Sequence, residues 1–397
     1  MKKLTTILLV LLLVLGCAAT SYATSDEPIK LAIVAPLTGD YAEYGLQALN
    51  AAQLAAEQVN AEGGVLGGRQ IEIVEYDDRG LVDDGAAMAE LIAADDSILG
   101  VPCMDFQSTV ALVVGPIYQE AGIPAISNTS SHPDLSLIGE YVLRNNTTDY
   151  FEALNTIEAC YLTGARKIAY IGEETDFGVS AGENMKAAVE QIAEKDPSVE
   201  WVGQTSYLTG TVDFSAQISE LVALEPDIIV NSGTYEGFAP FCQQLRRSGS
   251  DIRVAGVGNI YDQNLITIGG EAVEGVIFPS LFNADSENPV VQKFVAEFEE
   301  KTGGTMPNHM GALAYDATMM LINAVEVTGS DDRETVMKSL YTTPYEGVTG
   351  TCIFEEDTHE CIKPQVVFEV KDGAFVEIPN LLYPSWDEFM ASDAFGA

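Results

Sequence analysis

Residues 30–80 read KLAIVAPLTGDYAEYGLQALNAAQLAAEQVNAEGGVLGGRQIEIVEYDDRG, and this stretch decides the fold class. Lys30 to Pro36 is a short apolar run, the pattern of a strand covered on both faces. Tyr44 to Asn60 is Ala-rich with helical periodicity, and Gly63, Gly64, Gly67 and Gly68 then turn the chain into a second strand, Gln70 to Tyr76. Strand, helix and strand in that order make a βαβ unit, which implies a parallel sheet.

The rhythm continues outward from this unit. A helix over Asp83 to Ala94, a strand at Ile98 to Val101, a helix over Ser108 to Ala121 and a strand at Pro124 to Ser127 complete one set. A second set follows: helix Asp149 to Leu162, strand Lys167 to Ile171, helix Val179 to Glu194, strand Trp201 to Leu208, helix Phe214 to Leu224, strand Asp227 to Asn231, helix Phe238 to Ser248 and strand Arg253 to Val257. Helices at Pro289 to Thr302, His309 to Val327 and Arg333 to Leu340 precede a strand-like tail from Gly350 to Ile378. Two doubly wound α/β lobes are therefore expected, with the tail crossing back between them. Ligands in such sheets bind beyond the C-terminal strand ends, so facing lobes enclose a cleft.

The 397 residues carry 19 Lys+Arg against 60 Asp+Glu, a net charge of −41. A polyanion of this size repels nucleic acid and anionic lipid, which excludes both as partners. Lys2 and Lys3 precede an apolar run, Leu4 to Gly16, too short to span a bilayer and suited to the core of an export signal. Val14-Leu15-Gly16-Cys17 resembles a bacterial lipobox, whose Cys is lipidated; a competing cut after Ala23 leaves an unlipidated chain. The first is the expectation here, with the membrane reached only through that anchor.

Of the six cysteines, Cys352 and Cys361 bracket a polar turn and are expected to staple a hairpin. Cys103, Cys160 and Cys242 are read as buried thiols or as holding a second bridge. His132, His309 and His359 lack metal-ligand spacing, so neither a metal nor a cofactor is expected. Gly178-Val179-Ser180-Ala181-Gly182 satisfies GxSxG, but Ser180 falls within a helix start rather than at a sharp strand-to-helix turn, so a chance match is preferred to a hydrolase. More telling are the hydroxyl clusters at two βα junctions, Gln107-Ser108-Thr109 and Asn128-Thr129-Ser130-Ser131. Hydroxyls beside free N–H groups at a helix start suit a carboxylate.

The opening stretch strongly resembles extracytoplasmic solute-binding proteins of ABC importers, of the branched-chain amino acid type. The resemblance continues through DFQSTVALVVGPIYQEAGIPAISNTSSHPDLS, YVLRNNTTDYF, KIAYIGEETDFGVSAGE, IGGEAVEGVIF and YEGVTGTCIFEED, covering Pro28 to Gly373. It implies a type I periplasmic binding fold with three hinge crossings. The expected division is residues 1–27 as leader and linker, 28–146 with 280–345 as the first lobe, 147–279 with 346–385 as the second, and 386–397 as a tail.

The resemblance also implies site residues. Ser108 and Thr109 match carboxylate-binding hydroxyls, and Ser131 a position that helps hold an α-amino group. Tyr44 matches an aromatic of the side-chain pocket, Phe177 a closing aromatic, and Tyr235, with Thr234 beside it, the segment that closes over the ligand. The usual acidic partner of an ammonium is missing from Val257-Gly258-Asn259, and Asp262 is the expected substitute. The function implied is a monomeric, non-enzymatic binding protein that delivers an amino acid or related carboxylate to ABC permease subunits. A sensory ligand-binding subunit, and a binder of an amide or a non-amino carboxylate, are the alternatives.

Overall fold

The structure, a computed structural model, describes residues 27–395; the expected leader, with Cys17, lies outside them. In the first lobe β1 (Ile29–Ala35), α1 (Ala42–Ala61), β2 (Ile71–Asp77), α2 (Val82–Ala93), β3 (Ile98–Cys103), α3 (Ser108–Ala121), β4 (Ala125–Ser127) and β5 (Val142–Arg144) follow in chain order. The strands lie parallel in the order β2-β1-β3-β4-β5. Every residue of β3 is buried, because helices cover both faces of the sheet, and so its sequence shows no alternation.

The second lobe begins with α4 (Asp149–Leu162), β6 (Lys167–Glu173), α5 (Asp176–Ala193), β7 (Glu200–Tyr207), α6 (Ser215–Ala223) and β8 (Ile228–Asn231). It continues with α7 (Tyr235–Arg247), β9 (Arg253–Ala255), α8 (Gln263–Gly269) and β10 (Ile277–Ser280). The chain then returns through α9 (Pro289–Thr302), α10 (His309–Thr328) and α11 (Arg333–Thr342); α10 packs on α1 and β3 of the first lobe. A hairpin, β11 (Tyr345–Gly347) and β12 (Gly350–Cys352), precedes β13 (Val366–Lys371), β14 (Ala374–Ile378) and α12 (Trp386–Ala391). The second sheet runs β14-β13-β10-β9-β8-β6-β7, with β13 and β14 as an antiparallel extension of a parallel core.

One boundary and one cysteine reading differ from expectation. The third crossing is not at residues 345/346: Cys352, Phe354 and Cys361 share a core with Ile29, Met320 and Val336, so the chain leaves the first lobe only after Cys361. The cause is local, since the Asp316 carboxylate of α10 accepts the N–H groups of Val348 and Thr349 and pins the β11–β12 hairpin to that lobe. Nor do Cys352 and Cys361 bracket a hairpin. Cys352 ends β12, whereas Cys361 runs beside β5 and donates its N–H to Arg144 O at 2.9 Å. Both are thiols, in side-chain contact with each other. Cys103, Cys160 and Cys242 are buried thiols as well.

Residues 145–148, 281–288 and 361–365 connect the lobes. Lys363 ties the first and third of these: its ammonium donates to Asn145 Oδ1 at 2.7 Å and Thr349 Oγ1 at 2.6 Å. Glycine lets a helix press against a strand end on each side of the cleft. A Cβ at Gly45 in α1 would sit 2.1 Å from Pro36 O, and one at Gly178 in α5 would sit 2.1 Å from Glu173 O.

Candidate functional site

The C-terminal ends of β1, β3 and β4 face those of β6, β8 and β9, and between them lies a small space of about 50 Å³. The first lobe contributes Tyr41, Phe106, Ser108, Thr109 and Thr129, and the second contributes Glu173, Thr175, Phe177, Ser232 and Asn259. No lysine, arginine or histidine is among the described residues that line it. Any negative charge entering here must be met by hydroxyls and backbone N–H groups.

Those groups are available. Gln107 precedes α3 in an extended conformation and gives the helix no side-chain cap. The N–H groups of Val110 and Ala111 turn back to Gln107 O, leaving those of Ser108 and Thr109 at the cavity wall without a partner among the described residues. Ser108 Oγ accepts from Ser130 Oγ at 3.1 Å, so its own hydrogen is free to be donated. The helix dipole adds partial positive charge at the same place.

Across the cavity stands Glu173, the last residue of β6. Its Oε2 accepts from the hydroxyls of Tyr41 at 3.2 Å and Thr209 at 3.3 Å, both long contacts, and Oε1 has no partner among the described residues. Burial raises its pKa against the opposing effect of those two hydroxyls. Tyr41 belongs to the first lobe, so this bond also crosses the cleft.

Aromatic rings fill the floor. Phe106 packs 4.9 Å from Tyr41 and 5.2 Å from Tyr44, centroid to centroid, and Tyr44 lies 5.3 Å from Tyr235 of the opposite lobe. Tyr44 and Tyr235 are both buried and seal the lobe contact beside the cavity rather than lining it. Of the residues expected from sequence, Ser108, Thr109 and Phe177 reach the cavity, as does Thr234.

Ser131 and Asp262 do not. Ser131 is buried and faces the Asp149 carboxylate, which also faces Ser180 and forms no well-aligned hydrogen bond. Asp262 is occupied elsewhere: Oδ1 caps α8 through Asn264 N–H at 2.8 Å, and Oδ2 accepts from Asn308 Nδ2 at 2.9 Å. The backbone N–H of Gly258 is also taken, by Glu152 Oε1 at 3.0 Å. Ser180 lies inside α5 beside Asn184, while His309 meets Ser280 and His359 meets Ser136 O.

Tyr41, Phe106 and Glu173 were missed by sequence reasoning, whereas Thr129 stood in the hydroxyl cluster after β4 without being given a ligand contact of its own. Each of the three missed residues sits within three residues of a residue that was singled out or of a strand end, and proximity to a βα junction was the available signal.

The family model described as "Periplasmic binding protein" matches residues 28–374. The leucine-, isoleucine-, valine-, threonine- and alanine-binding protein of Pseudomonas aeruginosa is 26% identical over 345 residues, covering 85% of this chain and 88% of its own. A Leu/Ile/Val-binding protein homolog of Brucella melitensis is 27% identical over 369 residues, covering 91% and 95%. A leucine-binding protein of Thermotoga maritima superposes with a TM-score of 0.79 at 28% identity, covering 88% of this chain and 97% of its own.

Proposed function

The chain belongs to the periplasmic binding protein family, and from that premise we propose that it captures an amino acid or related small carboxylate between its lobes and hands it to an ABC importer. The observation that carries this reading is the opposition of two unlike walls. On one side Ser108, Thr109 and the start of α3 offer hydrogens to a carboxylate; on the other the half-engaged Glu173 offers a carboxylate to an ammonium. Glu173, not Asp262, balances the positive end of a zwitterion. The named ligands of the relatives, leucine, isoleucine and valine among them, support the same class.

Such a protein acts by differential binding: a ligand touching both walls stabilises the closed form, which is the form a permease reads. It carries out no chemistry and works as a monomer. It is exported and held at the membrane by a lipid on Cys17; an unmodified N-terminus at Thr24 in mass spectra of native material would refute the anchor.

Calorimetry with leucine, valine and phenylalanine, and with their des-amino acids, tests the ligand class. Glu173→Gln is expected to weaken the amino acids while leaving the des-amino acids bound as before. A non-amino carboxylate is the second reading, favoured by Gly258, which presents no side chain where an acid was expected. Under that reading wild type prefers the des-amino acids and Glu173→Gln strengthens them. If nothing in the panel binds, the carboxylate class is wrong.

A further inference from the structure

Directly beneath the hydroxyl wall lies Asp105, wholly buried just past the end of β3. Ser127 Oγ donates to its Oδ1 and Oδ2 at 2.9 and 3.0 Å, and Thr129 Oγ1 donates to Oδ1 at 3.2 Å and to the Asp105 carbonyl at 3.3 Å. Ser127 Oγ in turn accepts the N–H of Ser130 at 3.1 Å. With Asp105 ionised, the hydrogen of Thr129 therefore points down into the protein. Towards the cavity Thr129 shows only lone pairs, although Ser108 beside it shows a hydrogen.

That polarity conflicts with a carboxylate. An oxygen bound between Ser108 and Thr129 meets one donor and one acceptor, with a second buried anion underneath. Protonation of Asp105 eases both obstacles: the buried charge is gone, and the acid can donate to Thr129 Oγ1, which leaves only the Asp105 carbonyl, at 3.3 Å, to compete with the ligand for the Thr129 hydrogen. Resting on the functional reading above, we propose that Asp105 is a positioning residue that sets the hydrogen-bond polarity of Thr129, so that carboxylate binding in the cleft takes up a proton.

The surroundings favour a group poised to titrate. Asp78 from the loop after β2, Cys103 of β3 and Tyr118 of α3 face Asp105, and Arg144 of β5 is the nearby cation. Arg144 is already engaged by the carbonyls of Ser130 and His132, by Ser136 and by Glu360. Burial lifts the Asp105 carboxyl to about 7; the two hydroxyls and Arg144 oppose it, and Asp78 reinforces it. A bound carboxylate lifts it further, so affinity falls as pH rises past that value, by up to about tenfold per unit.

The test uses L-leucine and 4-methylpentanoate, neither of which titrates between about pH 6 and pH 8. Titration calorimetry near neutral pH, in buffers of different ionisation enthalpy, is expected to show a fraction of a proton taken up per ligand. Affinity is expected to drop several-fold from pH 6 to pH 8. Asp105→Asn should bind with a flat pH profile, and Thr129→Val should flatten it while leaving Asp105 and Ser127 in place. Binding without proton uptake overturns the proposal and leaves the functional reading standing. An unchanged pH profile in both variants also overturns it, and assigns the proton to another buried acid such as Glu236. If neither compound binds at any pH, the functional reading and this inference fall together.

Discussion

Tyr44 and Tyr235 meet across the cleft with ring centroids 5.3 Å apart, and the N–H of Tyr235 donates to the Tyr44 hydroxyl at 3.2 Å. Tyr235 is the first residue of its helix, and the preceding Thr234 gives that helix no side-chain cap. A helix start in one lobe is thus capped by a side chain of the other. The same hydroxyl donates to Asn259 O at 3.0 Å.

Closure should therefore depend on that one oxygen. Tyr44→Phe keeps the ring but strands the Asn259 carbonyl and the Tyr235 N–H, at a cost of about 1–2 kcal/mol in the closed form. Ligand affinity is expected to fall roughly 5- to 30-fold at that cost, and small-angle scattering should show a more open ligand-free protein. An unchanged affinity would mean that closure does not use this contact.

Ser108 and Ser131 separate a cavity hydroxyl from a structural one. Ser108→Ala removes a hydroxyl donor from the wall proposed to hold a carboxylate and should weaken binding by about 1–3 kcal/mol. Ser131→Ala, whose side chain faces Asp149 rather than the cavity, should change affinity much less. Calorimetry on the two variants decides it, and the reverse order would move the carboxylate site towards Ser131.

Much of the architecture was legible because it is local. The KLAIVAP strand and the Ala-rich helix after it lie within a residue or two of where their periodicity put them, and the hydroxyls after β3 and β4 stood out because βα junctions carry them. The far wall was not legible. Glu173 approaches Tyr41 across 132 positions of chain, and nothing near Glu173 in sequence announces the contact. Asp262 failed for a related reason: it looked like a spare acid, but the start of α8 and Asn308 already use both its oxygens. The last crossing was misjudged because Asp316, far upstream, holds Val348 and Thr349 in the first lobe.

Buried acids also make stability depend on pH in an unusual direction. Glu152 accepts from Gly258 N–H, has no cationic partner among the described residues, and is raised from 4.5 to about 7 by burial, with that N–H opposing the shift. Because the folded value lies above the unfolded one, the native state binds the extra proton between 4.5 and about 7. Unfolding free energy then falls as pH rises through this window, by about 1.4 kcal/mol per unit for each such group. Asp105 and Glu236, both raised to about 7 by burial, add in the same sense. The melting temperature should accordingly rise from pH 8 to pH 6. Glu152→Gln, which can still accept from Gly258, should be more stable than wild type at pH 8 and nearly equal to it at pH 5. A variant less stable at both values would show that the ionised carboxylate is favourable where it stands.

Cys352 and Cys361 offer the last test. They approach from different segments, one at the end of a first-lobe hairpin and the other at the start of the third crossing, and their side chains touch. Both are buried, so neither thiol is open to alkylation while the chain is folded. In an oxidising compartment the pair should lose two protons and two electrons to a thiol oxidant and close a short loop over Ile353 to Glu360, which stabilises the fold by roughly 2–3 kcal/mol in the chain-entropy account. A non-reducing tryptic map of exported protein should then contain the linked peptides. Reduction should lower the melting temperature, and Cys352→Ala should lower it to the same extent while leaving ligand affinity unchanged. Two freely alkylated thiols in unfolded, exported material would refute the cross-link.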